Sequence, residues 1–143
     1  MKKIYLAGAL TAIDFDEANE WRENIKKEIE SLLFYSKETQ WEIINPIKLY
    51  NYNTMRHKTE KEVMQYDLNH VKSSDLIIVN LKDINASIGT AIELYVASQL
   101  NIPVLAFGND KEYRNTHAWI KECISRRDNS IGELLEYISE FYF

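Results

Sequence analysis

The sequence predicts a single α/β domain, spanning residues 1–143, in which a doubly wound sheet of five parallel strands carries helices on both faces. Strand-like and helix-like segments alternate about five times along the chain, which is the pattern of parallel α/β folds. The run "DLIIVNL" (residues 75–81) is almost continuously apolar, as expected of a strand buried on both faces. A length of 143 residues without repeats, low-complexity tracts or linkers fits one domain.

The N-terminal half is predicted to begin with a strand, a helix and a second strand. The segment "KIYLAGA" (residues 3–9) predicts a strand that ends at Gly8. A helix is expected from Asp14 to Phe34, where apolar residues recur at helical spacing. These residues are Phe15, Ala18, Trp21, Ile25, Ile29 and Leu32. "WEIIN" (residues 41–45) predicts a short strand that ends at Pro46, and the polar segment 47–58 has no clear period, which is typical of a functional or mobile connection.

The C-terminal half continues the alternation. Thr59 and Glu62 form a capping-box pattern that opens a helix through about Lys72. After the strand "DLIIVNL" we expect a helix over about 88–100, a strand "PVLAFG" (residues 103–108) and a helix around "THAWIKECI" (residues 116–124). Ser130 and Glu133 cap a last helix with one apolar face. That face comprises Ile131, Leu134, Leu135, Ile138 and Phe141.

Composition excludes several classes of function. The formal charge of -5, with only short basic runs, argues against binding of polymeric nucleic acid, because phosphate neutralisation needs clustered lysines and arginines. The single cysteine, Cys123, excludes an intramolecular disulfide and a zinc site of several thiolates, and it favours a reducing cytoplasm. No segment approaches the ~20 apolar residues of a membrane span. The N-terminal "MKKIYLAGAL" resembles a signal peptide but is followed by acidic residues and alternates as a strand does. Because the charge argues against polymeric nucleic acid and no segment is predicted to span a membrane, small molecules or copies of the chain are the expected partners.

Common cofactor and metal motifs are also missing from the sequence. The four glycines form neither a Walker loop nor a dinucleotide fingerprint. His57, His70 and His117 are scattered and lack a matching carboxylate cluster, which favours surface or internally satisfied histidines over a metal site. We therefore expect neither a metal nor an organic cofactor.

In this fold class the ligand site is expected beyond the carboxyl ends of the strands, near the point where strand order reverses. Those ends carry residues 8–11, 45–48, 80–87 and 108–110. The stretch "SIGTAIE" (residues 87–93) follows one of them and places Glu93 among apolar residues, about one and a half turns into the predicted helix. Helical side chains lean toward the N-terminus of their helix, so the carboxylate would point back into the crevice as a nucleophile. On position alone, Glu93 could equally be a solvated helix residue or the partner of a nearby lysine.

The beginning of the same helix is a candidate anion site. Ser87, Gly89 and Thr90 supply hydroxyls and first-turn N–H groups, and the helix dipole adds positive potential, which together suit a phosphate. Ser is also among the best N-cap residues. A capping role for Ser87 is as compatible with the local sequence, and the two roles can coexist.

Three segments together resemble the nucleoside 2-deoxyribosyltransferase family over nearly the whole chain: "IYLAGAL" (residues 4–10), "YDLNHVKSSDLIIVNL" (residues 66–81) and "SIGTAIELYVASQLNIPVLAFG" (residues 87–108). The resemblance implies a flavodoxin-like, Rossmann-like α/β domain that splits the N-glycosidic bond of nucleosides or nucleotides. Glu93 matches the nucleophilic glutamate of the family, which attacks C1′ and forms a glycosyl-enzyme ester. Another base or water then resolves this ester, as in retaining glycoside chemistry.

The resemblance assigns roles to two more residues, and Gly8, at the carboxyl end of the first strand, is a further candidate. Tyr5 matches a strand tyrosine whose hydroxyl positions the nucleophile; without the resemblance, Tyr5 would be read as an aromatic core residue. Asp67 matches an aspartate at the nucleobase that helps to protonate the leaving base; without the resemblance, it would be read as a charge on a helix surface. Gly8 is expected to line the substrate site.

Substrate choice and assembly also follow from the resemblance. Transferases of the family that act on unphosphorylated nucleosides have an aspartate where this chain has Ser87, whereas members that hydrolyse nucleoside 5′-monophosphates have a serine there. Replacing an anion by a hydroxyl removes repulsion toward phosphate, so a nucleotide substrate is favoured. The stretch "RNTHAW" (residues 114–119) resembles the segment that members contribute to a neighbouring subunit's site, with Asn115 as the closest match and Thr116 as the second choice. This implies a homodimer or higher homo-oligomer, while a simple loop entering a helix is the alternative for this stretch.

Overall fold

The computed structural model describes residues 1–10, 14–35, 40–50 and 56–143. Strands and helices alternate along these residues as the sequence predicts. The strands are β1 (Lys2–Ala7), β2 (Trp41–Ile44), β3 (Leu76–Asn80), β4 (Val104–Phe107) and β5 (Arg126–Asp128). The helices are α1 (Phe15–Phe34), α2 (Glu60–Lys72), α3 (Ile88–Gln99), α4 (Asp110–Asn115), α5 (Ala118–Glu122) and α6 (Ile131–Phe141), with short 3-10 turns at Pro46–Leu49 and Ile84–Ala86.

Within the described residues, five strands form a single, entirely parallel sheet in the order β2-β1-β3-β4-β5. The predicted fold class is confirmed, and the order is that of doubly wound, flavodoxin-like sheets. Strand order reverses between β1 and β3, which pair through Ile4 with Leu76 and through Ala7 with Val79. The carboxyl ends of these two strands therefore open the crevice in which this fold binds ligands.

The sheet separates two hydrophobic cores. One core joins the residues on one face of β1, β3 and β4 to α2, α3 and α5, and it includes Tyr5, Val79 and Leu94. The other joins the opposite face of the same strands to α1 and α6, and it includes Ile78 and Ile29. The apolar run of β3 is buried on both faces, as its sequence predicts.

The capping patterns in the sequence mark helix starts correctly. Thr59 and Glu62 make a complete capping box at α2, and the Ser130 hydroxyl accepts the Glu133 N–H at α6. Ser87 is the N-cap of α3, where its hydroxyl accepts the Thr90 N–H at 3.4 Å. Helix starts were thus predictable because a cap is a local interaction.

Other details differ from the predicted elements. The helix expected around residues 116–124 is present as the shorter α5, Ala118–Glu122, which starts after the His117 imidazole accepts the Trp119 N–H. A further helix that was not predicted, α4, precedes it and ends where the Thr116 hydroxyl donates to the Glu112 carbonyl oxygen. Strand β5, with the polar sequence "RRD", had no apolar pattern to reveal it. On the predicted apolar faces, Phe15 and Phe141 are exposed.

No helix among residues 1–10, 14–35, 40–50 and 56–143 combines the length and the apolar character that a bilayer crossing requires.

Candidate active site

A cavity of about 320 Å³ lies at the carboxyl ends of β1 and β3, bounded by α1, α2 and the start of α3. It is lined by seven of the residues singled out in the sequence. These are Tyr5, Gly8, Asp67, Ser87, Gly89, Thr90 and Glu93. They come from the end of β1, from α2 and from the start of α3, which are far apart in the sequence.

Glu93 points its carboxyl group from α3 toward the buried sheet. The residue as a whole keeps some exposed surface, but its Oε2 atom is fully buried, and Oε2 has no hydrogen-bond partner among the described residues. The pKa of Glu93 is raised to about 7: burial is the main cause and the nearby Asp67 carboxyl adds to it, whereas the Tyr5 hydroxyl and the Arg22 guanidinium oppose the rise. The protein thus holds a carboxyl group that changes its charge near neutral pH.

Tyr5 is fully buried in β1 and faces Glu93. Its hydroxyl is close enough to lower the pKa of Glu93, yet it makes no hydrogen bond of normal geometry within the described part of the chain. The Tyr5 hydroxyl and the Glu93 carboxyl group thus approach each other without a formed hydrogen bond. Burial, followed by the charges of Glu93 and Asp67, raises the pKa of the Tyr5 phenol well above its usual range. The phenol therefore stays neutral and is available as a donor.

Asp67 lies on α2, lines the same cavity and is half-buried. Oδ1 of Asp67 accepts a hydrogen bond from the Tyr50 hydroxyl. Burial raises the pKa of Asp67, while the Tyr50 hydrogen bond and the charges of His70 and His57 oppose the rise. A carboxyl group with a raised pKa can carry a proton toward a ligand.

Gly8 has a steric reason to be glycine. A Cβ atom at this position would approach Cζ2 of Trp21 to 2.8 Å, which is closer than real side chains allow. Its carbonyl oxygen accepts a hydrogen bond from the Arg22 guanidinium at 2.9 Å. Gly8 therefore lets the end of β1 lie directly against α1 at the mouth of the cavity.

The start of α3 forms another wall of the cavity. The Ser87 hydroxyl hydrogen-bonds to the Thr90 hydroxyl at 2.7 Å as well as capping the helix. A Cβ atom built on Gly89 would meet no heavy atom within 4 Å. The first-turn N–H groups of Ile88 and Gly89 have no partner inside the helix, so this open surface can accept an anion.

The structure does not bring Asn115 and Thr116 into this cavity within one chain. They line a separate cavity next to residues 81–86. The Asn85 side chain donates to the Asn115 carbonyl oxygen at 2.6 Å and accepts the His117 N–H at 2.8 Å. This segment is therefore tied to the turn that precedes α3, and its expected role in a neighbouring subunit's site stays a prediction.

The sequence analysis missed Arg22, which is fully buried and lines the cavity. Its guanidinium donates to the carbonyl oxygens of Leu6, Gly8 and Ala18 at 3.2, 2.9 and 2.6 Å. The position of Arg22 could have revealed it, because it lies four residues after Ala18 and three before Ile25, on the apolar face of α1. A charged residue on such a face is unusual unless it is paired or hydrogen-bonded.

Tyr50 was not predicted from the sequence as a site residue, and it lies in a cluster with two histidines. Tyr50, His57, Tyr66 and His70 form a chain of packed rings beside Asp67, with centroids 4.9 to 5.9 Å apart. The two histidines are half-buried next to the cavity. Residues 51–55, which belong to the connection without a clear period, and Thr11 lie outside the described residues.

Comparison with known proteins identifies the family. The profile of the family described as nucleoside 2-deoxyribosyltransferase matches residues 4–131. The chain belongs to the nucleoside 2-deoxyribosyltransferase family. The resemblance inferred from the three sequence segments is thereby confirmed. No curated protein matches the sequence.

Solved structures share the family fold over nearly the full chain. A 2-deoxyribosyltransferase from Bacillus psychrosaccharolyticus is 19% identical, with a TM-score of 0.69 over 92% of this chain and 89% of that one. A CMP N-glycosidase from Clostridium botulinum is 20% identical, with a TM-score of 0.55 over 98% and 100% of the two chains. A conserved protein from Enterococcus faecalis V583 is 23% identical, with a TM-score of 0.74 over 98% of each chain. These likenesses show a common fold.

Proposed function

We propose that this chain is an enzyme that cleaves the N-glycosidic bond of a 2′-deoxynucleoside 5′-monophosphate, or of a 2′-deoxynucleoside, through a glycosyl ester on Glu93. The observation that carries the proposal is the pair of carboxyl groups that face one cavity, Glu93 with Tyr5 on one side and Asp67 on the other. Membership of a family of deoxyribosyltransferases and N-glycosidases supports the same reaction class.

In the first step, Glu93 attacks C1′ while Asp67 protonates the leaving base. The C1′–N bond breaks with its electron pair going to the base, and a C1′–O bond forms to the Glu93 carboxylate. The Tyr5 hydroxyl, buried and neutral, holds the carboxylate during the attack. The two carboxyl groups titrate as a pair, and the reactive form carries one proton, on Asp67.

In the second step, water attacks C1′ and the ester bond to Glu93 breaks. The proton that the water loses returns to Asp67, so both carboxyl groups recover their starting states. If another nucleobase takes the place of water, the product is a new deoxynucleoside. Base exchange is the second candidate function, favoured by the family to which the chain belongs.

A 5′-phosphate is the group that the start of α3 suits best. Ser87 brings a neutral hydroxyl, and Gly89 leaves the first-turn N–H groups accessible. Both lie on the cavity wall that also carries Glu93. Asn115 or Thr116 of a neighbouring subunit would contact the sugar 5′ end, which requires at least a homodimer.

The reaction is tested by incubating the protein with a panel of deoxynucleosides and deoxynucleoside monophosphates, with and without a free acceptor base, followed by chromatography. Free base released from monophosphates supports the hydrolase. New nucleosides that form only with an acceptor support base exchange. A non-catalytic nucleotide sensor, the alternative from another class, predicts binding without any product at high protein concentration, and that result would rule out both reactions.

The phosphate subsite is tested with Ser87→Asp. The new carboxylate should repel the 5′-phosphate and raise KM for a monophosphate about 10-fold, while KM for the corresponding nucleoside changes by less than about 2-fold. Ser87→Asn, a good N-cap without charge, is the matched control. Equal effects of Ser87→Asp on both substrates would mean that Ser87 only caps α3.

A further inference from the structure

The turn after β2 brings a tyrosine into contact with Asp67. Tyr50 directly follows the 3-10 turn Pro46–Leu49, and its hydroxyl donates a hydrogen bond to Oδ1 of Asp67 at the wall of the cavity. We propose that Tyr50 is a positioning residue that holds Oδ1 of Asp67, so that Oδ2 is the oxygen that faces the leaving base. The inference rests on the proposed function, because it gives a task to a residue that contacts the proposed general acid.

The phenol of Tyr50 is held in place by neighbouring rings. Its ring packs edge-on against His57 and Tyr66, with centroids 5.9 and 5.7 Å away. Tyr66 in turn packs against His70, at 4.9 Å. A ring fixed on several sides keeps its hydroxyl on one acceptor, which reduces the rotational freedom of the carboxyl group it contacts.

The charges around Asp67 are consistent with this arrangement. Tyr50, His57 and His70 face Asp67 and oppose the rise in its pKa that burial causes. Glu93 and Tyr5 face it from across the cavity. Since the Tyr50 hydroxyl stabilises the carboxylate, it makes the proton of Asp67 easier to transfer.

The hydrogen bond also decides where the transferred proton lies. Because Oδ1 accepts the Tyr50 hydroxyl proton, the acidic proton of neutral Asp67 is on Oδ2. This proton moves to the base as the C1′–N bond breaks, and a proton from water later returns to Oδ2. Tyr50 keeps its own proton throughout, so its part in the proton transfer is to hold Asp67.

Kinetics of Tyr50→Phe test the positioning role. The substitution keeps the ring and removes the hydroxyl, and we expect kcat to fall about 10- to 100-fold while KM changes less than about 3-fold. The matched control is Tyr66→Phe, which removes a hydroxyl from the neighbouring ring and should change kcat less than about 2-fold. In an Asp67→Asn background, Tyr50→Phe should add less than about a 2-fold loss. An undiminished loss in that background, or no loss in the wild-type background, would overturn the proposal.

A carboxyl ¹³C NMR titration tests the contact without turnover. Asp67 should titrate at higher pH in Tyr50→Phe than in the wild-type protein, because the hydrogen bond that lowers its pKa is lost. Tyr66→Phe should leave the titration unchanged. If Asp67 titrates at the same pH in Tyr50→Phe and in the wild-type protein, the contact is refuted. If Asp67 titrates at higher pH in Tyr50→Phe but the wild-type protein releases no base, the contact stands and the proposed function is refuted instead. If Tyr50→Phe does not fold, Tyr50→Leu, which also lacks a hydrogen-bond donor for Asp67, takes its place in both measurements.

Discussion

The two sides of the cavity are supported in different ways. The nucleophile end, which comprises Tyr5, Arg22 and Glu93, is built into the core: Tyr5 and Arg22 are fully buried, and Oε2 of Glu93 is too. The base end, which comprises Tyr50 and Asp67, is half-buried and rests on a turn and on one side of α2. Substitutions at the nucleophile end should therefore change both the reaction rate and the fold stability, whereas those at the base end should act mainly on the rate.

The largest expected difference between the two ends is in the rate. Glu93→Gln should lower kcat/KM by at least about 1,000-fold, because the nucleophile is lost. Asp67→Asn should lower it about 100-fold, as is typical for the loss of a general acid. Base release from the best substrate of the panel measures both, with the exposed Glu140→Gln as control. More than about 1% of wild-type activity in Glu93→Gln would contradict the nucleophile role.

The next effect is on stability. Arg22→Met would leave the carbonyl oxygens of Leu6, Gly8 and Ala18 without their buried donor. The free energy of unfolding should fall by about 4 kcal/mol, against less than about 1 kcal/mol for Tyr50→Phe at the base end. Urea unfolding measures both.

The control for this comparison is Arg114→Met, at an exposed position of α4. It should change the free energy of unfolding by less than about 0.5 kcal/mol. If Arg22→Met lowered the free energy of unfolding no more than Tyr50→Phe does, the buried hydrogen bonds of Arg22 at the nucleophile end would not contribute more to stability than the base end does.

Most of the fold could be predicted because its determinants are local. Apolar periodicity identifies β1, β3, β4, α1 and α6, and side-chain caps mark where α2, α3 and α6 begin. Strand β5 escaped detection because its residues become a strand through pairing with β4 at the sheet edge, and not through an apolar pattern of their own.

The residues of the candidate site also divide into those that a local sequence pattern reveals and those that only the folded structure reveals. Glu93 and Ser87 could be placed because each stands at a known distance from the end of a buried strand. Arg22 could not be placed from the sequence, because apolar spacing identifies only apolar residues. The hydrogen-bond acceptors that allow Arg22 to be buried are carbonyl oxygens at the end of β1, which only the folded chain brings close. Tyr50 follows a short turn in a segment without period, so only the folded chain shows its contact with Asp67.

The smallest of the expected effects is the pH dependence of stability at Glu93. Its pKa is 4.5 in an unfolded chain and about 7 in the folded protein. Between these values the folded state binds more protons than the unfolded state, so this carboxyl group lowers the stability as pH rises from about 4.5 to 7. Relative to the wild-type protein, Glu93→Gln should therefore gain up to about 3 kcal/mol across that window, with no further change above it. Urea unfolding at a series of pH values measures the difference, and Asp67→Asn, at the half-buried base end, should show a smaller gain of the same sign. A difference between Glu93→Gln and the wild-type protein that does not vary with pH would mean that the Glu93 carboxyl group is already ionised in the folded protein across this window, so that burial does not raise its pKa.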